Sequence, residues 1–400
     1  MNTRNTFFYF YLLITLTILH SCKKDDDPST KKTGVEVGLI NPPNLEISKF
    51  TSLNISFQEI NSGTSQTISQ VPETNSLSTT LPEGAYNVSL EGEAEYSIGG
   101  VVNTIKIRGY KENFVVSGSS VNLSLPLFVY NENAGFVFQE IYFTGSVTPE
   151  GKQYSGDKYI ILKNNSNEVL YADSLVIAQS SFLTTSSHQY TPDLMSEAFT
   201  SGEIIMIPGS GKDHPVQPGA TYVIAENAIN HKEYNVNSID LSHADLEIPL
   251  LASINVDNPQ VPDAINITRY IAIHNRGFRS FVLAKFNGIN IDNFKTANYY
   301  TYSYTLTSGT TLNLNAYKIP NTLIADAVNL SVASEFQMIV TDPSLDMGWT
   351  YCGTVDADPN RYGKSVQRKV LSTSEDGQQI LQDTNNSTVD FNAEQVPSLQ

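Results

Sequence analysis

The sequence predicts an all-β protein, and three observations lead to that prediction. Short runs in which apolar and polar residues alternate recur along the chain, for example at residues 53–57 and 86–90, and a strand that buries one face has this period of two. Turn-forming segments such as Pro82-Glu83-Gly84 separate the runs. The 400 residues include 21 tyrosines and one tryptophan, and together with abundant Thr, Val, Ser and Asn this composition is typical of sheets joined by polar loops.

Residues 1–21 are predicted to form a lipoprotein signal peptide. Arg4 precedes an apolar run at residues 7–19, which is shorter than the about 20 residues that a membrane-spanning helix needs. The run ends in Leu19-His20-Ser21-Cys22, which resembles the lipobox of bacterial lipoproteins. This resemblance implies that Cys22 becomes the lipid-modified N-terminus and is the contact with the membrane, because several acyl chains together anchor a protein durably. The alternative is a chance cysteine after an ordinary secretory signal.

Residues 22–34 are predicted to form an acylated tether. Lys23-Lys24-Asp25-Asp26-Asp27 follows Cys22 directly, and it is similar to the charged export signals of Bacteroidota surface lipoproteins. The alternative for this charge run is a solvated linker. The expected location is therefore the outer membrane, with the protein lipid-anchored and exposed at the cell surface.

Residues 35–130 are predicted to form a β-sandwich that acts as a spacer domain. The segment contains several alternating runs, and Leu81-Pro82-Glu83-Gly84-Ala85-Tyr86 presents one of them. That turn resembles the one in transthyretin-like or carboxypeptidase-regulatory-like β-sandwich modules. The resemblance covers this motif and the spacing of the strands.

Residues 135–400 resemble a lamin-tail domain, which is an immunoglobulin-type β-sandwich. The resemblance begins with three apolar runs at residues 136–143, 157–168 and 169–177. Further matches occur at residues 216–225, 271–277, 323–328 and 364–369. The spacings are longer than in a simple lamin tail, which predicts long insertions at about residues 180–201, 226–266, 287–316 and 341–363, within one domain or two subdomains. Together with the lipobox and the leading sandwich, this segment resembles a family of Bacteroidota surface lipoproteins of unknown function.

Charge and cysteine content argue against a nucleic-acid-binding protein and against a fold held together by disulfides. The formal net charge of −17 opposes the phosphate backbone, so nucleic acid is not an expected partner. Of the two cysteines, Cys22 is the lipid acceptor, which leaves Cys352 without an intrachain mate. The sequence therefore predicts no disulfide framework, and Cys352 is expected to be a small buried apolar residue.

The motif search predicts no catalytic residues, no metal and no cofactor. The sequence has no His-Glu-x-x-His, Gly-x-Ser-x-Gly or Gly-x-x-x-x-Gly-Lys motif. A segment with alternating oxygen ligands, Asp356-Ala357-Asp358, begins like a calcium loop. It then departs from that pattern, because Arg361 stands where the loop needs glycine and Gln367 where it needs glutamate. Whether calcium binds near Asp356 and Asp358 stays open at this point.

The candidate binding face is aromatic. Tyr300, Tyr302 and Tyr304 alternate along a predicted strand and would share one face, and Trp349 and Tyr351 repeat the alternation later. Rings beside hydroxyl and amide groups are suited to stacking against sugars and aromatic ligands. The alternative is that these tyrosines are half-buried cross-strand pairs, since tyrosine is a favoured strand residue.

The function expected from the sequence is a non-catalytic lipoprotein that binds a ligand or a partner protein at the outer membrane. An outer-membrane transporter and a glycan are the expected binding partners, with the protein acting as an accessory of an uptake system. Two alternatives remain, a hydrolase acting on a surface polymer and a structural adhesin.

Overall fold

The computed structural model describes residues 31–42, 45–98, 101–130, 135–251, 256–373 and 377–400. Cys22, the predicted signal peptide and most of the predicted tether lie outside these residues. The first strand begins at Lys32, within the predicted tether, because residues 32–34 pair with residues 80–82 in antiparallel register. In the described parts of the chain, no helix is both long and apolar enough to cross a membrane.

The chain forms two compact units. Among the described residues, the first comprises residues 31–40, Leu53–Leu90 and Gly109–Pro126. The second comprises Asn41–Ser52, Glu91–Arg108 and Leu127–Gln400.

One seven-stranded sheet supplies the strands of the N-terminal region, with the order β3-β2-β5-β6-β7-β1-β4. Its strands are β1 (Lys32–Ile40), β2 (Ile47–Glu59), β3 (Ser65–Ser69), β4 (Ser76–Pro82), β5 (Gly84–Ile98), β6 (Val101–Val116) and β7 (Ser120–Tyr130). β1 runs parallel to β7 and antiparallel to β4. Alternate residues of β1 point to opposite faces, so Val35, Val37 and Leu39 are buried and the residues between them are more exposed. This is the period of two that the sequence shows.

The strands and helices of the C-terminal region are mostly short. In chain order they are β8 (Phe136–Tyr142), β9 (Ser146–Val147), β10 (Gln153–Tyr154), β11 (Tyr159–Asn164), β12 (Leu170–Tyr171), β13 (Leu175–Ser180), β14 (Ala198–Met206), β15 (Pro215–Val216), β16 (Thr221–Ala225), β17 (Leu246–Glu247), β18 (Ile265–Asn266), β19 (Phe281–Lys285), α1 (Ile291–Asn298), β20 (Tyr299–Thr305), β21 (Thr311–Pro320), β22 (Ile324–Val328), β23 (Leu330–Ser331), β24 (Thr350–Tyr351), β25 (Ser365–Arg368), β26 (Val370–Thr373), β27 (Gln379–Leu381), α2 (Ser387–Asp390) and β28 (Phe391–Gln395). Single 3-10 turns occur at His231–Glu233, Asn321–Leu323 and Pro359–Arg361.

Two sheets in this region share one apolar core. The six-stranded sheet has the order β17-β16-β11-β8-β25-β28, and the other has the order β20-β21-β14-β13-β19-β22 with β18 paired to β14. The first sheet contributes Phe138 and Leu162 to the core, and the second contributes Ile177, Ile205 and Leu283. The prediction of an all-β protein is confirmed, because α1 and α2 are the α-helices of the described residues and both are short.

A buried ion cluster around Arg368 connects β25 with β8, β22 and α2. The guanidinium Nη2 of Arg368 donates to both carboxylate oxygens of Asp326 at 2.7 and 2.6 Å, and its Nε donates to the carbonyl of Phe138 at 2.8 Å. Asp383 and Asp390 lie 3.1 and 3.7 Å from Nη1. Three carboxylates thus share one cation, and burial raises the pKa of Asp326 to about 7 and that of Asp390 to about 6.

Cys352 is a fully buried free thiol, as the sequence analysis predicts. Burial raises the pKa of its thiol. The residue therefore packs as a small apolar side chain.

Candidate functional site

The hairpin formed by β20 and β21 places the predicted tyrosines. The two strands pair in register from Tyr299 opposite Tyr317 to Thr305 opposite Thr311. The connecting turn is closed by a hydrogen bond from the backbone N–H of Leu306 to the carbonyl of Thr310, at 2.9 Å. Because side chains alternate along a strand, Tyr300, Tyr302 and Tyr304 share one face, and Tyr299 lies on the opposite face with 51% of its surface exposed.

A second segment of chain, residues 181–191, lies against the face with the three tyrosines. Thr191 and Ser303 exchange two backbone hydrogen bonds of 2.9 Å, which attaches the end of this segment to β20. The attachment brings three further rings to the hairpin. Phe182 stacks on Tyr190 with ring centroids 3.6 Å apart, and His188 stacks on Tyr304 at 4.2 Å.

The tyrosine cluster, defined as Phe182, His188, Tyr190, Tyr300, Tyr302 and Tyr304, is partly core and partly surface. Tyr302 is only 4% exposed, and its ring meets Phe182 and Tyr190 edge-on at 5.2 and 5.8 Å. The prediction that Tyr302 belongs to an exposed binding face is therefore wrong. Neighbouring rings exclude this side chain from solvent, so it packs in the core of the cluster. Tyr300, Tyr304, Tyr190 and His188 are half-buried, so they present part of their rings at the surface.

The tryptophan cluster, defined as Phe336, Trp349 and Tyr351, contains the other two predicted residues. Phe336 and Trp349 stack almost in parallel, with centroids 4.7 Å apart and an interplanar angle of 10°, and Tyr351 lies 5.5 Å from Trp349. All three rings are half-buried. The structure thus gives Trp349 and Tyr351 a shared site with Phe336.

The backbone around Trp349 is held by the segment that begins α2. The N–H of Trp349 donates to Oγ1 of Thr388 at 3.0 Å, and its carbonyl accepts from the same hydroxyl at 2.9 Å. Gly348 allows this close approach, because a Cβ there would lie 2.0 Å from Oδ1 of Asn386. The fully buried carboxylate of Asp346 accepts hydrogen bonds from the N–H groups of Gly348 and Ser387, at 3.0 and 2.7 Å. The tryptophan is therefore presented by a rigid backbone.

One loop links the two clusters. Phe336 belongs to the tryptophan cluster, while Met338 and Val340 pack on the tyrosine cluster. The loop is fixed to residues 181–191, because the N–H of Met338 donates to the carbonyl of Thr184 at 3.2 Å and Oε1 of Gln337 accepts from the N–H of Ser187 at 3.0 Å. We call the two clusters with this loop the aromatic surface.

Three phenol groups of the tyrosine cluster are neutral hydrogen-bonding groups. Burial raises the pKa of Tyr190, Tyr300 and Tyr302 above the ordinary tyrosine value. The hydroxyl of Tyr300 lies 2.6 Å from Oγ1 of Thr200. The aromatic surface therefore offers apolar ring faces and neutral hydroxyl groups, a combination suited to uncharged polar ligands.

The two carboxylates that suggest a calcium loop, those of Asp356 and Asp358, accept hydrogen bonds from other groups of the chain. Asp356 accepts two hydrogen bonds from Nη1 of Arg276, at 2.8 and 2.9 Å. Asp358 accepts from the backbone N–H groups of Thr354 and Asn360, each at 2.9 Å, and these bonds lower its pKa. The segment forms a salt bridge and a capped turn, which accounts for both carboxylates.

The sequence analysis misses a group of three carboxylates from separate positions in one insertion. Carboxylate oxygens of Glu247, Asp257 and Asp263 lie within 4.8 Å of one another. Oxygens at this spacing are compatible with a divalent cation. Asp257 and Asp263 are exposed, however, and Glu247 already accepts hydrogen bonds from the N–H groups of Ala228 and Asn258, at 3.1 and 3.2 Å. Such acidic groups are common without a metal, and we assign none.

The sequence analysis also misses four of the nine rings of the aromatic surface. Phe182, His188 and Tyr190 lie in an insertion that it recognises only by length, and Phe336 stands alone in its segment. The available signal is the alternation of His188 and Tyr190 just before Thr191, which matches the alternation in β20. Only the pairing of these two distant segments shows that the rings meet.

Comparisons with known proteins find a partial match to one family model and a similar fold. Residues 217–398 match the sequence model of a family described as "Protein of unknown function (DUF4876)". No curated protein matches the sequence. A DUF4876 family protein from Bacteroides thetaiotaomicron, solved by crystallography, aligns with a TM-score of 0.55 and 24% identity over 91% of this chain and 96% of that chain. At this identity the likeness shows the fold.

A putative adhesin from Bacteroides ovatus aligns over 77% of this chain and 91% of that chain, with 8% identity and a TM-score of 0.20. That likeness is too low to support an argument. The match to a family of unknown function and the Bacteroides source of the similar fold agree with the resemblance to Bacteroidota proteins noted in the sequence. The chain is thus similar to a protein family of unknown function, DUF4876, over its C-terminal 217–398 segment.

Proposed function

We propose that this protein is a non-catalytic lipoprotein of the outer-membrane surface that binds a ligand through the aromatic surface. Cys22 would carry the lipid anchor, and the protein would serve as an accessory of an outer-membrane uptake system. The lamin-tail-like character of residues 135–400 is part of this proposal. Loops on a rigid sandwich are the usual carriers of such contacts.

The observation that supports binding is the set of half-buried rings held in fixed positions. Tyr304 stacks on His188, and Trp349 stacks on Phe336, so each exposed ring is supported from below or beside by another ring. Stacked rings lose little conformational freedom when a ligand binds, which favours affinity. Core packing alone explains Tyr302, but it leaves the exposed parts of the other rings without a role.

The ligand class that fits best is a glycan. Sugars present apolar C–H faces that stack on aromatic rings and hydroxyl groups that need hydrogen-bond partners. A neutral or weakly charged saccharide also suits the neutral phenols of the cluster.

Trp349 makes the proposal directly testable, because it is the only tryptophan in the chain. Glycan binding to the purified lipoprotein would be measured by calorimetry, and the emission of Trp349 would be followed in parallel. We expect Tyr304→Ala to weaken binding by more than about 1 kcal/mol, as truncation of a central contact residue of an interface does. Tyr299→Ala is the matched control, since it removes the same side chain from the opposite face of the same strand.

The outcome that contradicts the proposal is equally specific. Glycan binding that is unchanged in Tyr304→Ala and shifts no Trp349 emission would place the ligand elsewhere. If no glycan binds, capture of outer-membrane proteins from native membranes by wild type, and its loss in Tyr304→Ala, would assign the surface to a protein partner.

A further inference from the structure

The clamp segment, defined as residues 383–390, connects the buried ion cluster to the tryptophan cluster. Its two ends, Asp383 and Asp390, lie 3.1 and 3.7 Å from Nη1 of the guanidinium in the ion cluster. Between these ends, Oγ1 of Thr388 accepts from the N–H of Trp349 at 3.0 Å and donates to the carbonyl of the same residue at 2.9 Å. The segment therefore contacts both the buried cation and the backbone that presents the tryptophan.

The buried ion cluster contains more negative than positive charge. Its one cation is Arg368, and its carboxylates are those of Asp326, Asp383 and Asp390. When all three carboxylates are ionised, the negative charges outnumber the positive charge by two. The side chains of Arg368, Asp326 and Asp390 are at most 3% exposed, so water and salt screen the repulsion weakly.

Proton uptake relieves this repulsion near neutral pH. Burial is the main cause of the raised pKa of Asp326, which is about 7, and of Asp390, which is about 6. The negative charge of Asp383 acts in the same direction on both. Because carboxylates that share a site titrate together, the charge of the cluster changes between about pH 6 and pH 7.

The clamp segment is the part of the cluster with the least regular structure. Asp326 lies in β22 and Arg368 in β25, which belong to the two sheets that share the apolar core. The clamp segment, in contrast, contains one helix of four residues, α2. Short surface segments open at a lower free energy than core strands do. Repulsion within the cluster is therefore relieved by movement of the clamp segment.

Two other charged groups face the middle of the clamp segment. Nζ of Lys369 donates to the carbonyl of Val389 at 2.6 Å. The carboxylate of Asp346 accepts from the N–H of Ser387 at 2.7 Å and from its hydroxyl. These contacts use no carboxylate of the ion cluster, so they limit the movement to a loosening of the segment.

We propose that the clamp segment is a pH-responsive element, in which full ionisation of the buried ion cluster loosens the hold of Thr388 on Trp349. The sign follows from the charges. The partly protonated cluster carries the least repulsion, so Trp349 is held most firmly at the lower pH. This device goes beyond the proposed function, because it operates whether or not the aromatic surface binds a glycan.

The test uses Trp349 as the reporter, since it is the only tryptophan in the chain. Quenching of its emission by acrylamide is measured on the full-length lipoprotein in detergent between about pH 5 and pH 8, with far-ultraviolet circular dichroism in parallel. Acrylamide is uncharged, so the charge of the protein does not alter its access. We expect quenching to rise as pH rises through about 6–7, with secondary structure unchanged. Equal quenching at both ends of this range would overturn the proposal.

Asp383→Asn tests whether the ion cluster causes the change. Asp383 is 15% exposed, more than the other members of the cluster, and its removal leaves two carboxylates to share the cation. We expect a smaller rise in quenching, displaced to higher pH or absent below about pH 8 if the repulsion is gone. Asp292→Asn is the matched control, because Asp292 is exposed on α1 and outside the cluster. A rise in Asp383→Asn equal to that of wild type would overturn the proposal.

Thr388→Val tests whether the change reaches Trp349 through the clamp segment. Valine has the shape of threonine without the hydroxyl group, so Trp349 should be quenched strongly at every pH. Thr388→Ser keeps the hydroxyl group and should restore the pH dependence. If quenching in Thr388→Val still rises with pH as in wild type, another part of the chain carries the change and the proposal fails.

Discussion

Replacement of Arg368 by methionine tests whether the buried ion cluster holds the C-terminal region together. The side chain of Arg368 is 1% exposed and its guanidinium contacts Asp326, Asp383 and the carbonyl of Phe138. Methionine fills much of the same space but leaves the carboxylates buried without a cation. Removing one partner of a buried pair costs about 3–5 kcal/mol, and we expect a loss of that size in the free energy of unfolding.

The assay is equilibrium unfolding in urea, followed by the emission of Trp349. Because Trp349 is the only tryptophan and lies in the second unit, its signal reports that unit alone. A loss of 3–5 kcal/mol corresponds to a melting temperature lower by about 6–20 °C, at about 2–4 °C per kcal/mol for a domain of this size. The measurement can therefore be made by heat as well as by denaturant.

Arg276→Met is the matched control for this variant. Arg276 also pairs with a carboxylate, that of Asp356 at 2.8 Å, but the two side chains are 36% and 37% exposed. An exposed pair contributes about 0–1 kcal/mol. If Arg368→Met loses no more stability than Arg276→Met, the buried cluster does not stabilise the fold as we argue.

Four further predictions concern titration, packing, backbone and anchor. Burial raises the pKa of Asp326 to about 7, whereas an unfolded aspartate titrates near about 4. The folded state thus holds the proton more tightly, and the free energy of unfolding should fall as pH rises from about 4 to about 7 and level off above that value, measured by urea unfolding at several pH values. Tyr302→Ala removes a buried ring and should cost about 3–5 kcal/mol in the same assay. Gly348→Ala should destabilise the fold and shift the emission of Trp349, because a Cβ would lie 2.0 Å from Oδ1 of Asn386. Cys22→Ala should move the protein from the membrane fraction to the soluble fraction, with loss of an acyl label.

The sequence predicts the all-β class well, because a strand that buries one face shows a short, local alternation of apolar and polar residues. In β1, every second residue is buried, so the period of two is visible in a window of a few residues. The helix α1, in contrast, is not predicted from its local sequence pattern. Asn290 caps it by accepting from the N–H of Asn293 at 2.9 Å, but Phe294 is its single buried residue, so it shows no apolar stripe.

The candidate sites are predicted less well, because they depend on pairings between distant segments. Tyr300 and Tyr304 are visible in the sequence, yet the sequence alone does not distinguish them from Tyr302, which the loop at residues 181–191 covers. Local periodicity carries no information about which of these rings a distant segment covers.

The bridge between Thr191 and Ser303 has a consequence for how this protein matures. The two residues are 112 positions apart in the chain, and the tyrosine cluster exists only after that long loop has closed, a slow type of folding event. A chain that has not yet closed this loop therefore lacks the assembled ring cluster. The cluster is a late product of folding, because its rings come from segments that are far apart in the sequence.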